Sequence, residues 1–346
     1  AFAPAHAKIV KEKSRLRELI KVASDLISEA YEDREDVDVF IDEAERRIFE
    51  ISGREIRPAF FKMRDVVRAG YKMIEDAYEK KAMMTGVPSG FEELDRMTAG
   101  FQPSDLVVVA SRPGMGKTSF CLNVARNAAL EHQVPVAIFS MEMSKEQLAF
   151  RMLCSQAKVD FHRIRTGFLK EQDWRDLSQA AGRLYDARIF IDDTPAPTVL
   201  EIRAKARRLK AEHNLGLVIV DYLQLMRSVK PVERRDLEIS EISRSLKALA
   251  KELNIPVVAI SQLSRAVEKR ENKRPIMADL RESGAIEQDA DLVLFLYRDA
   301  YYKGEEEERS EAEVIIGKQR NGPTGMVKLA FVRRYASFER LERIHT

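Results

Sequence analysis

Cysteine is nearly absent: Cys121 and Cys154 are the only two in a chain of 346 residues. Both fall in helical apolar patterns, which excludes a disulfide framework and predicts buried thiols in a reducing cytoplasm. Histidine is sparse as well, and the five present are scattered without ligand spacing, so no structural zinc is expected. No apolar run approaches the ~20 residues a membrane helix needs, which leaves no membrane partner to expect. An excess of charge of one sign is also missing. With 58 basic against 56 acidic residues the net charge is +2, too little for the whole-molecule field to gather nucleic acid. Any such binding must come from local loops. The opening AFAPAHAK has neither a basic leader nor an apolar core, so no secretory signal is expected. It also lacks an initiator Met, which suggests a fragment or processed product. What remains, 45% hydrophobic and 33% charged residues, is the balance of a globular protein of about two domains.

The most informative stretch is ASRPGMGKTSF, residues 110–120. It follows the β-branched run Leu106 to Val109 and precedes an apolar-periodic stretch with Phe120, Cys121, Val124, Ala125 and Ala128. A buried strand, a Gly-containing turn and Lys-Thr opening a helix are the parts of a phosphate-binding loop. Gly114 and Gly116 let consecutive N–H groups converge on phosphates, and Arg112 in the same loop is expected to bind the nucleotide with them. Lys117 adds a point charge, Thr118 a hydroxyl for Mg2+, and Ser119 continues the first helical turn. The strict pattern asks for Gly where Ser111 stands, so the strand before and the helix after carry the assignment.

Residues 8–82 contain no convincing strand. Leu16, Leu19, Ala23, Leu26 and Ala30 recur at helical spacing between Ile9 and Ala30. A second helix is expected from Asp36 to Ser52-Gly53 with the stripe Val37, Ile41, Ala44, Ile48 and Ile51, and a third over roughly Ala59 to Lys81. The stripe either packs on neighbouring helices or, flanked by an acidic stretch and by Ser52-Gly53, forms a linker whose apolar face docks on another subunit. Loop chemistry at residues 83–90 then marks a boundary. Beyond it, β-type runs at 106–110, 134–139, 188–192, 216–221, 255–260, 290–297, 313–317 and 326–332 alternate with helical patterns over the first six. The fold class is therefore α/β, a mostly parallel central sheet flanked by helices and preceded by a small all-α segment. The ligand belongs at the strands' carboxyl ends. The helix Thr198 to His213 is expected to place Val199, Ile202, Ala206 and Leu209 inward and Arg203, Arg207 and Lys210 outward. Trp174 is expected in the core, and Glu305 to Arg309 as a mobile charged tip.

Several polar residues follow apolar strands, where hydrolysis of a triphosphate needs them. Asp221 ends LGLVIVD and either supports magnesium beside Thr118 or caps a turn. Glu142 in IFSMEMS either deprotonates the attacking water or is a solvated loop carboxylate. Gln262 after IPVVAIS either reports the γ-phosphate or satisfies backbone groups. Lys318 and Arg320 share one strand face; they are either solubilising or reach a neighbour's γ-phosphate. The long loop after Gln262 carries Lys269, Arg270, Lys273 and Arg274, then Arg281 to Gly284. It is either a solvated charged loop or a sequence-independent phosphate contact. No aromatic is interleaved, so base stacking is not suggested.

Taken together, TGVPSGFEELDRMTAGFQPSDLVVVASRPGMGKT, FSMEMS, LVIVDYLQLM, AISQLSRAVEKR, DLRESGAIEQDADLVLFLYRD and GKQRNGPTG resemble the successive motifs of bacterial replicative hexameric helicases of the DnaB type. That family's phosphate loop tolerates a non-Gly first position. The resemblance implies a RecA-like P-loop NTPase motor over residues 85–346. It also implies the last helices of a longer collar domain over 1–35, a linker helix over 36–53 docking on the adjacent subunit, and a helical connection over 54–84. It implies ATP and Mg2+ as cofactors. Lys117 and Thr118 would then hold phosphates and metal, Glu142 would be the catalytic base, Asp221 the metal-shell acid and Gln262 the γ-phosphate sensor. Lys318 and Arg320 would act in trans, Arg281, Glu282 and Gly284 would touch single-stranded DNA, and Arg298 and Phe331 would flank the adenine. Implied partners are forked or single-stranded DNA, five further copies in a homo-hexamer, a primase and a helicase loader. The implied movement is 5′ to 3′. A recombinase filament or a non-unwinding ATP-gated scaffold would share the core, but the linker stripe favours a closed ring.

Overall fold

The computed structural model describes residues 3–31, 62–80, 84–227, 234–304 and 308–341, with scattered positions between 37 and 48. The chain divides into two compact units, Ala1–Lys80 and Lys81–Thr346. In the first, one helix covers Ala3–Ala30, beginning earlier than the periodicity suggested, and another covers Met63–Lys80. Of the expected second helix only isolated positions are described. These are helical, and Val37, Ile41 and Ile48 are about half exposed there; Ile51 and the end at Ser52-Gly53 lie outside the described residues. Arg47 donates to Glu29 at 2.7 Å and to Glu43 at 2.8 Å. The expected tip at 305–309 lies outside the described residues at 305–307, and Arg309 already opens a strand.

The second unit is built on one sheet. Its strands are β1 Leu106–Ser111, β2 Val136–Ser140, β3 Ile189–Asp192, β4 Leu217–Asp221, β5 Val257–Gln262, β6 Leu292–Tyr297, β7 Arg309–Gln319, β8 Gly325–Val332 and β9 Ser337–Arg340. They are ordered β3-β2-β4-β5-β1-β6-β7-β8-β9. The first six in this order pair in parallel and the last three are antiparallel. The parallel strands read as unbroken apolar runs because each feeds two cores. On β1, Val107 and Val109 pack into one, and Leu106, Val108 and Ala110 into the other; on β6, Leu292, Leu294 and Leu296 oppose Val293 and Phe295 in the same way.

Four expectations need correction. The strand β9 was missed because SFER has little apolar length, and β7 begins at Arg309 because its first half is polar on alternate residues. Trp174 is not core but 61% exposed. Its helix, Glu171–Tyr185, buries Asp173, Leu177 and Ala180, so Trp174 lies about 100° round from that stripe. Arg207 does not point to solvent. The helix Arg235–Leu253 packs alongside, and its Glu252 receives Arg203 at 2.6 Å and Arg207, leaving Arg207 buried. Both cysteines are buried thiols, as expected.

Candidate functional site

The loop between β1 and the helix Lys117–Glu131 turns through Gly114 at φ +80° and Gly116 at φ +96°, conformations that L side chains rarely adopt. A side chain would also be crowded: a Cβ on Gly114 would lie 2.9 Å from the Tyr301 ring, and one on Gly116 3.0 Å from Phe338. The loop is thus pressed between two aromatics and lines a cleft of about 330 Å³. That cleft is lined by Gly114, Gly116, Lys117, Thr118, Ser119, Glu142, Arg151, Tyr222, Gln262 and Phe331, among others.

At its floor the Thr118 hydroxyl donates to Asp221 Oδ2 at 2.8 Å. Asp221 is buried at the end of β4, and Oδ1 has no partner among the described residues. Burial pushes its carboxyl up to about 6; the Thr118 hydrogen bond pulls the other way and the Glu142 charge adds to the rise. Lys117 donates to the Ser111 carbonyl at 3.3 Å, and burial lowers its pKa despite the nearby carboxylates. Hydroxyl, orphaned carboxylate oxygen and partly desolvated ammonium together form a polar pit whose donors suit an anion and a hard cation.

Glu142 stands at the apex of a tight turn after β2. The Ser140 hydroxyl donates to the Met143 carbonyl at 2.7 Å and accepts from the Met143 N–H, and Ser144 with Gln147 forms a capping box on the next helix. Its carboxylate is therefore held out over the cleft by backbone geometry and stays exposed. Gln262 ends β5 with its side chain on the cleft, while the Gln224 amide brackets its backbone, donating to Gln262 O at 3.3 Å and to Ser261 Oγ at 3.0 Å. Arg151, on the helix Lys145–Ala157, and Tyr222, directly after Asp221, also line the cleft; neither is among the residues expected there from the sequence.

Other predicted residues fall elsewhere. Arg112 is buried and turned from the cleft: it donates to Glu268 at 2.8 Å and to the Leu263 carbonyl at 2.8 Å, tying the loop to the segment after β5. Arg298 and Phe331 do not leave a gap for a base between them. The guanidinium stacks 4.0 Å over the ring and donates to the Gly114 carbonyl at 3.2 Å, bracing the loop from beneath. Only Phe331 reaches the cleft. The basic cluster after Gln262 is partly spent within the chain. Arg270 pairs with Asp279, Arg274 with Glu313, and Lys273 lies over the Tyr302 ring. Arg281 and Glu282 fall in the short helical turn Met277–Ser283 and Gly284 opens the helix Gly284–Asp289; the side chains at 281–285 lie outside the described residues.

Lys318 and Arg320 lie together, at the far end of the sheet. Because β7 runs antiparallel, Lys318 registers with Val293 and Gln319 with Leu292, beside the amino end of β1. The phosphate loop leaves the carboxyl end of β1, roughly 15 Å away at the rise of a strand. Both side chains turn to the end of the helix Gly284–Asp289, Lys318 donating to the Glu287 and Ala290 carbonyls and Arg320 to that of Gln288.

The DnaB-like helicase C terminal domain family matches residues 86–340. The chain is 52% identical over 339 residues to the replicative DNA helicase DnaB of Geobacillus stearothermophilus, covering 98% of this chain and 75% of that protein. It is 46% identical over 345 residues to the DnaB of Haemophilus influenzae, covering 97% and 74%. Among solved structures, an isolated ATPase domain superposes with a TM-score of 0.77 at 42% identity, covering 82% of this chain and all of that one. A DnaB-like replicative helicase studied for its interactions with primase superposes with a TM-score of 0.80 at 40% identity, covering 99% and 80%. These relatives decide against a recombinase filament, and the RecA-like α/β fold agrees with them. The chain therefore belongs to the DnaB family of replicative DNA helicases, enzymes that use ATP hydrolysis to unwind DNA.

Proposed function

We propose that the chain works as a ring of identical subunits, a homo-hexamer, in which each ATP site is completed by the neighbouring protomer and hydrolysis draws single-stranded DNA through the centre. One observation supports this most: Lys318 and Arg320, the cations best suited to a γ-phosphate, lie at the opposite end of the sheet from their own phosphate loop. Within one chain they cannot meet it. Across a boundary between copies they can, and a guanidinium delivered in this way is worth ~10³-fold or more in rate.

In this reading the N–H groups around Gly114 and Gly116, with Lys117, hold the phosphates. Thr118 and Asp221 fit Mg2+, since a hydroxyl and an orphaned, buried carboxylate oxygen are hard donors and that ion keeps most of its waters; when bound it neutralises phosphate charge. Glu142 takes the proton of the attacking water, a role worth about 10²- to 10⁴-fold, and Gln262 senses the γ-phosphate. Arg281, Glu282 and Gly284 touch the strand backbone. Movement is 5′ to 3′, the duplex opens by exclusion of the other strand, and primase and a loader are partners in the cytoplasm. The G. stearothermophilus relative is named a replicative helicase, and the solved DnaB-like relative is described with primase, which supports this assignment. No described helix is long and apolar enough to cross a membrane.

The test is the mass of the assembly with and without ATP and single-stranded DNA, followed by unwinding of forks whose 5′ or 3′ arm is blocked. A six-fold assembly stopped only by a 5′-arm block is expected. Full-rate ATP turnover by an isolated single copy, indifferent to added oligonucleotide, would end the proposal.

A further inference from the structure

Arg320 lies against a buried carboxylate, that of Asp291. Asp291, just before β6, is buried, and its Oδ2 accepts from the Leu106 N–H at 2.8 Å and from Lys247 Nζ. Lys247, on the helix Arg235–Leu253, also donates to the Ser104 carbonyl at 2.7 Å, so the ammonium is fixed from two sides. With Oδ2 committed, Oδ1 faces Arg320 Nη1 at 3.4 Å, and the Asp291 carbonyl accepts from the Arg320 N–H at 2.9 Å. Arg320 Nη2 donates to Gln288 O at 2.7 Å.

We propose that Asp291 is a positioning residue for hydrolysis at the subunit boundary, orienting Arg320 toward the neighbouring protomer's nucleotide while Lys247 and the Leu106 N–H hold Asp291 itself. This rests on the trans role assigned to Arg320. The geometry separates orienting from trapping. A tight two-point pair with a free carboxylate would compete with phosphate for the guanidinium. Here the carboxylate charge is shared with Lys247, its approach to Arg320 is one long contact, and the Arg320 side chain remains 48% exposed. The guanidinium is thus aimed by a neutral carbonyl and a half-neutralised carboxylate, and can exchange both for a more highly charged phosphate.

The test is Asp291→Asn, which keeps the shape and an acceptor for the Leu106 N–H but removes the charge. Single-strand-stimulated ATPase should lose on the order of 10-fold in kcat, as expected for a misplaced catalytic group, with KM for ATP changed less than about twofold. In an Arg320→Ala background the same substitution should have no further effect, because its action passes through Arg320. An equal loss in both backgrounds, or an unchanged kcat in Asp291→Asn while Arg320→Ala is impaired, overturns the positioning role alone. If Arg320→Ala itself turns over at full rate, the trans assignment falls and the proposal falls with it. Should melting show Asp291→Asn unfolded, Lys247→Gln carries the same test. It leaves the carboxylate to Arg320, and the same kcat loss and the same silence in the Arg320→Ala background are expected.

Discussion

Thr118→Val isolates the pair at the floor of the cleft. The substitution keeps the side chain's shape and removes the hydroxyl that donates to Asp221 Oδ2 at 2.8 Å. Since Oδ1 already has no partner among the described residues, both oxygens of a carboxylate only 3% exposed are left unsatisfied. Burial has raised that carboxyl from 3.8 to about 6. A raised pKa means that its contribution to stability is fully present below the unfolded value and is lost as pH rises through about 6, a cost on the order of 3 kcal/mol at neutral pH. The hydroxyl opposes this rise, so its loss should add roughly 1–3 kcal/mol above pH 6 and less at pH 4.5, where the carboxyl is protonated. For a unit of this size that is a fall in Tm of about 2–5 °C at pH 7.5. Thermal unfolding of nucleotide-free protein in EDTA at the two pH values is the assay. An equal drop at both would refute the claim that the hydroxyl serves the ionised carboxylate.

Glu142→Gln should lower strand-stimulated ATP hydrolysis by about 10²-fold or more while binding of a fluorescent nucleotide survives; normal turnover would remove Glu142 from the chemistry. Mixing Arg320→Ala with Glu142→Gln subunits should restore some activity, because a boundary can then form between an intact base and an intact guanidinium. No recovery at any mixing ratio counts against composite sites. Arg281→Ala should weaken single-strand binding uniformly across sequences and reduce the slope of log K against log salt by about 1, measured by fluorescence anisotropy; an unchanged slope moves the DNA contact elsewhere. Asp105, raised to about 6 by burial and by Asp291, should make the protein lose stability as pH rises from about 4 to 6, and Asp105→Asn should flatten that part of the melting profile.

The parts of the site that chemistry confines to one segment were legible in the residues alone. The loop from Ser111 to Ser119 needs its glycines, lysine and threonine adjacent in sequence because consecutive N–H groups make the cradle. Asp221 and Gln262 were legible because a polar residue ending a buried apolar run marks a strand's carboxyl end, where such sheets hold ligands. Arg112 and Arg298 show what spacing leaves open. Both have the right charge near the right loop, yet each is bent by partners far along the chain or across the sheet, Glu268 and Leu263 in one case, Gly114 and Phe331 in the other.

Sequence by itself thus determined the phosphate loop, the parallel order of strand and helix, and the family, because these depend on spacing within a few residues and on motifs read in order. Tertiary structure alone decided which charges face the cleft and which are consumed in the fold. It turned Arg207 inward onto Glu252, and brought Lys247, Asp291 and Arg320 together from three separate segments. Spacing can place a side chain on a strand or a helix face, but a charge's partner is chosen by sheet order, and the antiparallel return of β7 carries Lys318 and Arg320 away from the loop that shares their chain.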